Sequence, residues 1–291
     1  MVLGDSLLTI AQALVWAKTQ LRDRGVSDDG LHESAAIDSK VLLAASLNKE
    51  LVYLHTWPEK LLDELQMQTF KEFVEQRSAG HPVAHIIGYR DFWTLRLKVT
   101  PDTLIPRPET ELLVEIALTL DLPESAKVLD LGTGTGAIAL ALASEKHNWV
   151  ITGVDKQSDA VTLSKHNATS NNLERVAFMH SDWFSAVAAQ QFDLIVSNPP
   201  YIEEENRYLK LGDVRFEPSS ALTAGHDGLE DIRHIVAQSR RYLSGNGWLV
   251  IEHGYQQGAA VTEIFKENAY NNICTHDDLN GLPRITFGSF Q

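Results

Sequence analysis

The chain has 291 residues and a formal net charge of −14, and acidic residues outnumber basic ones in residues 1–85, 86–127 and 128–291 alike. Hydrophobic residues make up 44% of the chain and charged residues 22%, which indicates a globular protein whose length favours two domains. Tight, sequence-neutral binding to nucleic-acid phosphates needs several Lys or Arg contacts. Because no segment has a basic excess, we expect protein or small-molecule partners and no stable nucleic-acid binding.

The cysteine content and hydropathy indicate where the protein works. Cys274 is the only cysteine, which excludes an internal disulfide and a multi-cysteine zinc site and favours a reducing compartment. Residues 1–21 lack the basic start of a signal peptide, and no apolar run reaches the ~18 residues of a membrane span. We therefore expect a cytoplasmic protein without membrane association, and a monomer.

The first part of the chain has the apolar spacing of short helices. One helix is predicted from Leu7 to Leu21 with Asp5 or Ser6 as its cap, and a second over residues 33–47. A third is predicted to begin at Pro58 and to stop before Gly80. Residues 1–82 are thus predicted to form a small helical domain.

The hydrophobic period changes after residue 82. Residues 84–89 and 93–99 have the pattern of extended strands, which predicts a β-hairpin linker over residues 83–107. Pro108 then stands where a further helix begins.

Strands and helices alternate in the rest of the chain, residues 108–291. This alternation predicts an α/β fold with a mostly parallel, doubly wound sheet. The predicted strands are residues 128–131, 150–154, 176–179, 192–196 and 248–251, with two more near 273 and 285–287, and the predicted helices are 137–143, 161–168 and 232–243.

A glycine-rich loop follows the first of these strands, in the run DLGTGTGA over residues 130–137. Glycines at a strand-to-helix junction permit a tight turn and let a ligand approach the backbone. Asp155 ends the next strand, where a carboxylate can accept hydrogen bonds from both hydroxyls of a ribose. These features fit either NAD or S-adenosylmethionine, and the glycines alone do not separate the two.

A second motif follows the strand at residues 192–196 and reads Asn198-Pro199-Pro200-Tyr201. Two prolines cannot continue a central strand, so they form a stiff turn at the carboxyl edge of the sheet, where such sheets bind ligands. An amide oxygen beside a backbone carbonyl is a pair of acceptors suited to a planar –NH2 group, on which an aromatic ring can also stack. The motif therefore favours S-adenosylmethionine chemistry on a planar amine.

Together, these two motifs resemble the class I S-adenosylmethionine-dependent methyltransferases that methylate planar amino groups. Further runs are similar to the PrmC/HemK family, whose members methylate the side-chain N5 of the glutamine in the GGQ motif of class I peptide-chain release factors. Those runs are PVAHIIGY (82–89), FW (92–93), IPRPETE (105–111), FEP (216–218) and AGHDGL (224–229). The resemblance covers nearly the whole chain and implies a class I (Rossmann-like) catalytic domain behind an N-terminal helical substrate-recognition domain.

The resemblance also assigns roles to residues. The residues implied for S-adenosylmethionine binding are Gly132, Thr133, Gly134, Thr135, Gly136, Asp155, Trp183 and Asn198. Those implied for catalysis are Asn198, Pro199 and Tyr201, and Pro200 joins them in holding the substrate glutamine. Phe92 and residues 107–111 are expected near the same pocket. No metal is expected, because the histidines show no ligand spacing, and His253 is expected to be structural.

Three alternatives remain open from the sequence. An N6-adenine nucleic-acid methyltransferase shares the NPPY motif but should carry a basic groove, which the charge of −14 argues against. An NAD-dependent dehydrogenase shares the glycines and Asp155 but has no use for NPPY. A glutamine methyltransferase of a ribosomal protein is the close alternative within the family, and the IPRPETE segment and the N-terminal helices favour the release factor.

Overall fold

The computed structural model describes residues 7–23 and 34–291. The chain divides into two compact units. The helical unit comprises the residues up to Gly88 together with Lys210–Phe216, and the sheet unit comprises Tyr89–Leu209 and Glu217–Gln291. The chain therefore passes from one unit to the other within the segment 83–107 that the sequence predicts as a linker.

The helical unit is built on short helices around an apolar core of its own. The helices are α1 (Ile10–Asp23), α2 (Ser34–Ser46), α3 (Leu51–Thr56), α4 (Glu64–Ser78) and α5 (Val83–Ile87). The cap predicted at Asp5 or Ser6 lies outside the described residues. In the structure Thr9 caps α1 reciprocally with Gln12, since each side chain accepts a hydrogen bond from the other residue's backbone N–H.

The helix predicted to begin at Pro58 begins six residues later. Asp63 and Gln66 form a capping box, with Gln66 N–H donating to Asp63 Oδ1 over 2.8 Å, and this fixes the start of α4. Residues 58–62 instead pair with the start of α1, where the N–H groups of Ile10 and Ala11 donate to the carbonyls of Lys60 and Pro58. The prediction of a stop before Gly80 is confirmed, because α4 ends at Ser78.

The extended strand predicted over residues 84–89 is wrong over residues 84–87, which form α5. Val83, Ile86 and Ile87 recur at helical spacing and pack against the core of the helical unit, so tertiary burial outweighs the strand preference of these β-branched residues. Gly88, at φ 82°, ends the helix. The hairpin follows as β1 (Tyr89–Phe92) and β2 (Leu95–Lys98), which pair antiparallel in the sheet unit.

The sheet unit, all of whose residues are described, contains a seven-stranded sheet in the order β5-β4-β3-β6-β7-β9-β8. Its strands are β3 (Lys127–Leu131), β4 (Val150–Asp155), β5 (Ala177–His180), β6 (Phe192–Ser197), β7 (Leu243–Glu252), β8 (Asn271–Asp277) and β9 (Pro283–Phe290). The first five are parallel, while β9 is antiparallel to both β7 and β8. The predicted α/β fold with a mostly parallel sheet is confirmed.

The helices of the sheet unit are α6 (Glu111–Thr119), α7 (Ala137–Glu145), α8 (Ser158–Ser170), α9 (Glu230–Ser239) and α10 (Gly258–Glu267). Apolar clusters fill the space on the two faces of the sheet. The helix predicted over 232–243 ends at Ser239, because Leu243 already belongs to β7. The central strands β3 and β6 are nearly all buried, and both end at the edge that carries the two motifs.

None of the helices that the structure describes combines the length and apolar character that a bilayer span requires.

Candidate active site

The glycine loop joins β3 to α7 at the carboxyl edge of the sheet. Gly132, Gly134 and Gly136 have φ values of 69°, 53° and 84°, a region that L-residues with a Cβ rarely adopt. Asp130, a fully buried carboxylate near the end of β3, stabilises the loop. Its Oδ2 accepts a hydrogen bond from the Thr133 hydroxyl at 2.6 Å. Burial raises the pKa of Asp130 to about 7.

Asp155 ends β4 beside this loop. Its Oδ2 accepts a hydrogen bond from the Gly134 N–H and its Oδ1 accepts one from the Gln157 N–H, both at 2.9 Å. A carboxylate has about four acceptor positions, so both oxygens keep further capacity for a ligand. Asp155 therefore both tethers the glycine loop and presents acceptors beside it.

Trp183 covers the start of the loop. Its backbone has φ 48°, and a Cβ added at Gly132 would lie 3.4 Å from the Trp183 ring. The Trp183 ring therefore packs close to Gly132, and the two residues form one wall beside the end of β3.

The NPPY turn begins directly after β6, whose last residue, Ser197, donates from its hydroxyl to the Leu131 carbonyl at 2.8 Å. The side chain of Asn198 donates from Nδ2 to the hydroxyl of Thr110 at 3.1 Å. Its Oδ1 is buried and has no hydrogen-bond partner among the described residues. A buried acceptor without a donor is costly, so this atom is a candidate contact for a ligand that carries N–H groups.

Tyr201, the last residue of the turn, contacts β7 and an apolar cluster. Its hydroxyl donates to Glu252 Oε1 at 3.3 Å, and its ring packs against an apolar cluster of the sheet unit. Gln257 also stabilises the turn, because its Nε2 donates a hydrogen bond to the Tyr201 carbonyl. Gly228 leaves space for that carbonyl, because a Cβ there would lie 2.3 Å from it.

The IPRPETE segment lies against the same edge and is anchored by Glu217. The Glu217 carboxylate is fully buried, binds the Arg107 guanidinium at 2.5 Å and accepts from the Ile105 N–H at 3.1 Å. On the other side of this segment, Glu111 accepts a hydrogen bond from the Trp93 N–H at the hairpin turn. The segment is therefore fixed to residues far from it in sequence.

An open cavity of about 950 Å³, counting space continuous with solvent, lies between these elements. The predicted site residues that line it are Gly132, Thr133, Gly134, Thr135, Asp155, Trp183, Asn198 and Pro200, together with Phe92, Arg107 and Thr110 of the neighbouring segments. Three predicted site residues in the described part of the chain do not line it, namely Gly136, Pro199 and Tyr201. Gly136 caps α7, and Pro199 is buried.

Within residues 7–23 and 34–291, no three His, Cys, Asp or Glu side chains come close enough together to hold a metal ion. His253 is buried at the end of β7, and its Nε2 lies 2.8 Å from the Thr286 hydroxyl while its Nδ1 lies 3.0 Å from the Gly254 carbonyl. Burial lowers the pKa of His253. This histidine ties β7 to β9, as expected of a structural residue.

Comparison with solved structures places the fold among methyltransferases. A methyltransferase from Pyrococcus furiosus aligns over 75% of this chain and 96% of its own, with a TM-score of 0.52 and 15% identity. The catalytic domain of hMettl16, solved with the MAT2A 3′UTR hairpin 6, aligns over 76% and 82% with a TM-score of 0.56 and 15% identity. At such low identity these similarities concern the fold alone.

Sequence comparison is more specific. A family model described as the methyltransferase small domain matches residues 108–221, and one described as the PrmC N-terminal domain matches residues 12–88. The release factor glutamine methyltransferase of Shewanella oneidensis is 52% identical over 282 residues, which cover 97% of this chain and 96% of the relative. The Escherichia coli protein of the same name is 45% identical over 258 residues, which cover 89% and 93%.

The chain belongs to the release factor glutamine methyltransferase family. The resemblance and the enzyme class predicted from the sequence are thereby confirmed, and so is the class I methyltransferase fold. The individual roles of the site residues stay predictions, although the structure brings most of them to one cavity.

Sequence reasoning missed three residues that organise the site of this methyltransferase. Thr110 and Glu217 lie in motifs that carried the family resemblance, but no role was assigned to either of them. Glu252 is the last residue of β7, the strand next to β6, and only its neighbour His253 was assigned a role from the sequence. The sequence does place a carboxylate, Glu252, at the end of a buried central strand. Because a buried charge is costly unless it is hydrogen-bonded, that placement indicates that Glu252 has polar partners.

Gly134 is the position at which we expect a substitution to test whether S-adenosylmethionine binds in this cavity. A Cβ added at Gly134 would meet no described atom within 4 Å, so a larger side chain there would extend into open space beside Asp155. We expect Gly134→Val to abolish measurable S-adenosylmethionine binding in calorimetric titration, because the branched side chain would fill part of the cradle.

The matched control is Gly281→Val, at a glycine of the same unit that also has positive φ and open space. Both variants should lose about 1–2 kcal/mol of unfolding free energy through the left-handed backbone. Only the change at residue 134 should affect the cofactor. Normal affinity in Gly134→Val would contradict the placement of the cofactor against this loop.

Proposed function

We propose that this enzyme transfers a methyl group from S-adenosylmethionine to the side-chain N5 of the glutamine in the GGQ motif of class I peptide-chain release factors. The observation that carries the proposal is the buried Oδ1 of Asn198, which no described residue hydrogen-bonds and which belongs to a residue lining the same cavity as the glycine loop and Asp155. The names of the relatives support the choice of a release factor as substrate.

The residues that would hold S-adenosylmethionine are the glycine loop, Asp155 and Trp183. When bound, this cofactor supplies a methyl group already activated by a sulfonium. Asp155 accepts from the ribose hydroxyls with the acceptor capacity that its bonds to Gly134 and Gln157 leave unused. The enzyme therefore needs no strong nucleophile of its own and no metal.

The difficulty of the reaction lies with the acceptor, because the lone pair of an amide nitrogen is delocalised into its carbonyl. The Asn198 Oδ1 and the Pro199 carbonyl each accept one hydrogen bond from the glutamine –NH2. These bonds orient the nitrogen toward the methyl group and favour the positive charge that develops on it, so the catalysis is positioning plus electrostatic stabilisation. Pro200 stiffens the turn, and Tyr201 anchors it to β7 by donating a hydrogen bond to Glu252.

The test is methylation with labelled S-adenosylmethionine, using an intact release factor, the same factor with the GGQ glutamine replaced by alanine, a ribosomal-protein fraction and bulk DNA. We expect label in the intact factor alone, located on the glutamine by mass spectrometry. Label in the ribosomal proteins but not in the factor would favour the alternative glutamine methyltransferase. Label in DNA alone would overturn the proposal.

We further propose that the helical unit recognises the protein substrate. Its described residues line no part of the cavity, yet they expose large apolar side chains over α3 and the start of α4. Val52 and Leu65 are 69% and 73% exposed. Several exposed apolar side chains within one segment of the chain are a candidate surface for docking another protein.

We expect the double variant Val52→Glu, Leu65→Glu to raise the KM for the release factor about tenfold or more, since tenfold is about 1.4 kcal/mol and complete burial of even one such side chain contributes roughly 1.5–3 kcal/mol. The affinity for S-adenosylmethionine and kcat at saturating factor should stay unchanged. The matched control is Val150→Glu, at a valine of the sheet unit that is 59% exposed. Equal KM values for the double variant and the control would assign substrate recognition elsewhere.

A further inference from the structure

A buried carboxylate lies behind the NPPY turn, on the strand next to the one that carries it. Glu252 ends β7, and the preceding residue of β7, Ile251, pairs with Ser197, the residue before Asn198. Glu252 is 1% exposed. Its Oε1 accepts from the Tyr201 hydroxyl, while its Oε2 has no hydrogen bond of ordinary length from any described residue. Neither the proposed chemistry nor the packing of an apolar core accounts for a carboxylate at this position.

Thr110 stands between Glu252 and Asn198. Its hydroxyl oxygen accepts from Asn198 Nδ2, and the same hydroxyl lies close enough to Glu252 to lower the pKa of the carboxyl. A hydroxyl that accepts one bond has a single hydrogen left to donate. The nearby acceptor for that hydrogen is the Glu252 carboxylate. The order of donation is therefore from Asn198 to Thr110 and from Thr110 to Glu252.

This order determines which end of the Asn198 amide is left for a ligand. An ionised carboxylate only accepts, so it takes a hydrogen bond from Tyr201 and can take another only as an acceptor from Thr110. The Thr110 hydroxyl oxygen must then accept a hydrogen bond, and Asn198 donates it from Nδ2. The Oδ1 atom of Asn198 is left available for a ligand. With a neutral group at residue 252, the Thr110 hydroxyl can turn and donate to Asn198. The amide would then rotate and offer Nδ2, a donor, to the substrate amide, which also brings donors.

We propose that Glu252 is a positioning residue that, through Thr110, keeps the Asn198 side chain oriented with its oxygen available to the substrate glutamine. The inference rests on the proposed function, since it gives Asn198 the acceptor role. Two residues outside the NPPY motif thus determine whether Asn198 presents its oxygen or its NH2 group to the substrate. Glu252 is not among the residues that line the cavity, and we propose that Thr110 acts through Asn198.

The charges around Glu252 come from three further elements. Burial raises the pKa of Glu252 to about 7, and Glu109 in the turn before α6 adds to that effect. Thr110, Arg284 on β9 and Tyr201 after β6 oppose it. Because the ionised form is the one that orients Asn198, the methylation rate should rise with pH through the neutral range and level off above it.

The test compares Thr110→Val and Glu252→Gln, which preserve side-chain volume, with the wild type. We expect each to lower the single-turnover rate at saturating release factor about 10- to 100-fold, as is typical when an outer partner of a site residue is lost. The dissociation constant for S-adenosylmethionine should change less than threefold. Thr110→Ser restores a hydroxyl and should recover most of the rate that Thr110→Val loses.

The pH profile separates positioning from mere stability. The wild-type rate should depend on a group with a pKa near 7, and Glu252→Gln should lack that dependence. A loss of rate that leaves the pH profile of Glu252→Gln unchanged, or an unimpaired Thr110→Val enzyme, overturns the inference. If the inference about Glu252 fails but Asn198→Ala is inactive in the same assay, the proposed function is unaffected. An active Asn198→Ala enzyme would overturn both the inference and the proposed function.

Discussion

Asn198→Ala is expected to lower the single-turnover rate of methyl transfer to a release factor by about 10²–10³-fold, the usual effect of removing one preorganised polar contact to the transition state. The affinity for S-adenosylmethionine should change far less. Asn198 donates to Thr110, and its Oδ1 has no partner among the described residues, whereas the acceptors that we propose for the cofactor ribose are on Asp155. Single-turnover methylation and calorimetric titration measure the two quantities separately.

Asn198→Asp is the matched comparison, because it keeps the size and one acceptor oxygen. It also removes the donor to Thr110 and adds a negative charge near Glu252, so its activity should fall between those of Asn198→Ala and the wild type. A gain of methylation on adenine-containing DNA is not expected from a chain of net charge −14. Near-normal turnover in Asn198→Ala would remove the NPPY motif from the mechanism.

The local features of the sheet unit could be predicted because their causes are local. The apolar run of β3, the glycines after it and the two prolines after β6 each restrict the backbone within a few residues. Parallel strands with helical crossovers then bring their carboxyl ends to one edge. For this reason the sequence alone predicts that Asp155, Asn198 and the glycine loop lie at one edge of the sheet.

The predictions that failed concern short segments whose state depends on distant partners. Residues 83–87 have a strand-like composition but form α5 because they pack on the helical core. Helix α10 was not predicted, although Val261, Ile264 and Phe265 recur at helical spacing. The start of α4 was placed at Pro58, although Asp63 and Gln66 already formed a capping pair in the sequence.

Contacts between residues far apart in sequence were beyond sequence reasoning. The segment Lys210–Phe216 belongs to the helical unit because Asp213 binds Arg77 at 2.6 Å, and Arg77 also binds Asp38 at 2.7 Å. Glu217 anchors Arg107, and Thr110 meets Asn198, in each case across about a hundred residues. No pattern of spacing or composition identifies such partners, and they are the contacts that orient the groups at the site.

Asp155→Ala is expected to weaken S-adenosylmethionine binding by roughly 10- to 150-fold for each ribose hydrogen bond that is lost, which corresponds to about 1.5–3 kcal/mol for a bond to a charged group. The carboxylate also holds the Gly134 N–H at 2.9 Å, so its removal releases the glycine loop as well. The loss should therefore exceed that of a single hydrogen bond, and calorimetric titration should detect it directly.

Asp155→Asn distinguishes the two contributions, because it keeps the size and one acceptor oxygen but cannot accept at both positions. Its affinity should lie between those of the wild type and Asp155→Ala. Asp159→Ala, at an exposed acid in the first turn of α8, controls for the loss of one negative charge near the site and should bind normally. Titration with NAD should show no binding to any of these proteins. If Asp155→Ala binds S-adenosylmethionine within twofold of the wild type, the ribose is held elsewhere and Asp155 only tethers the loop.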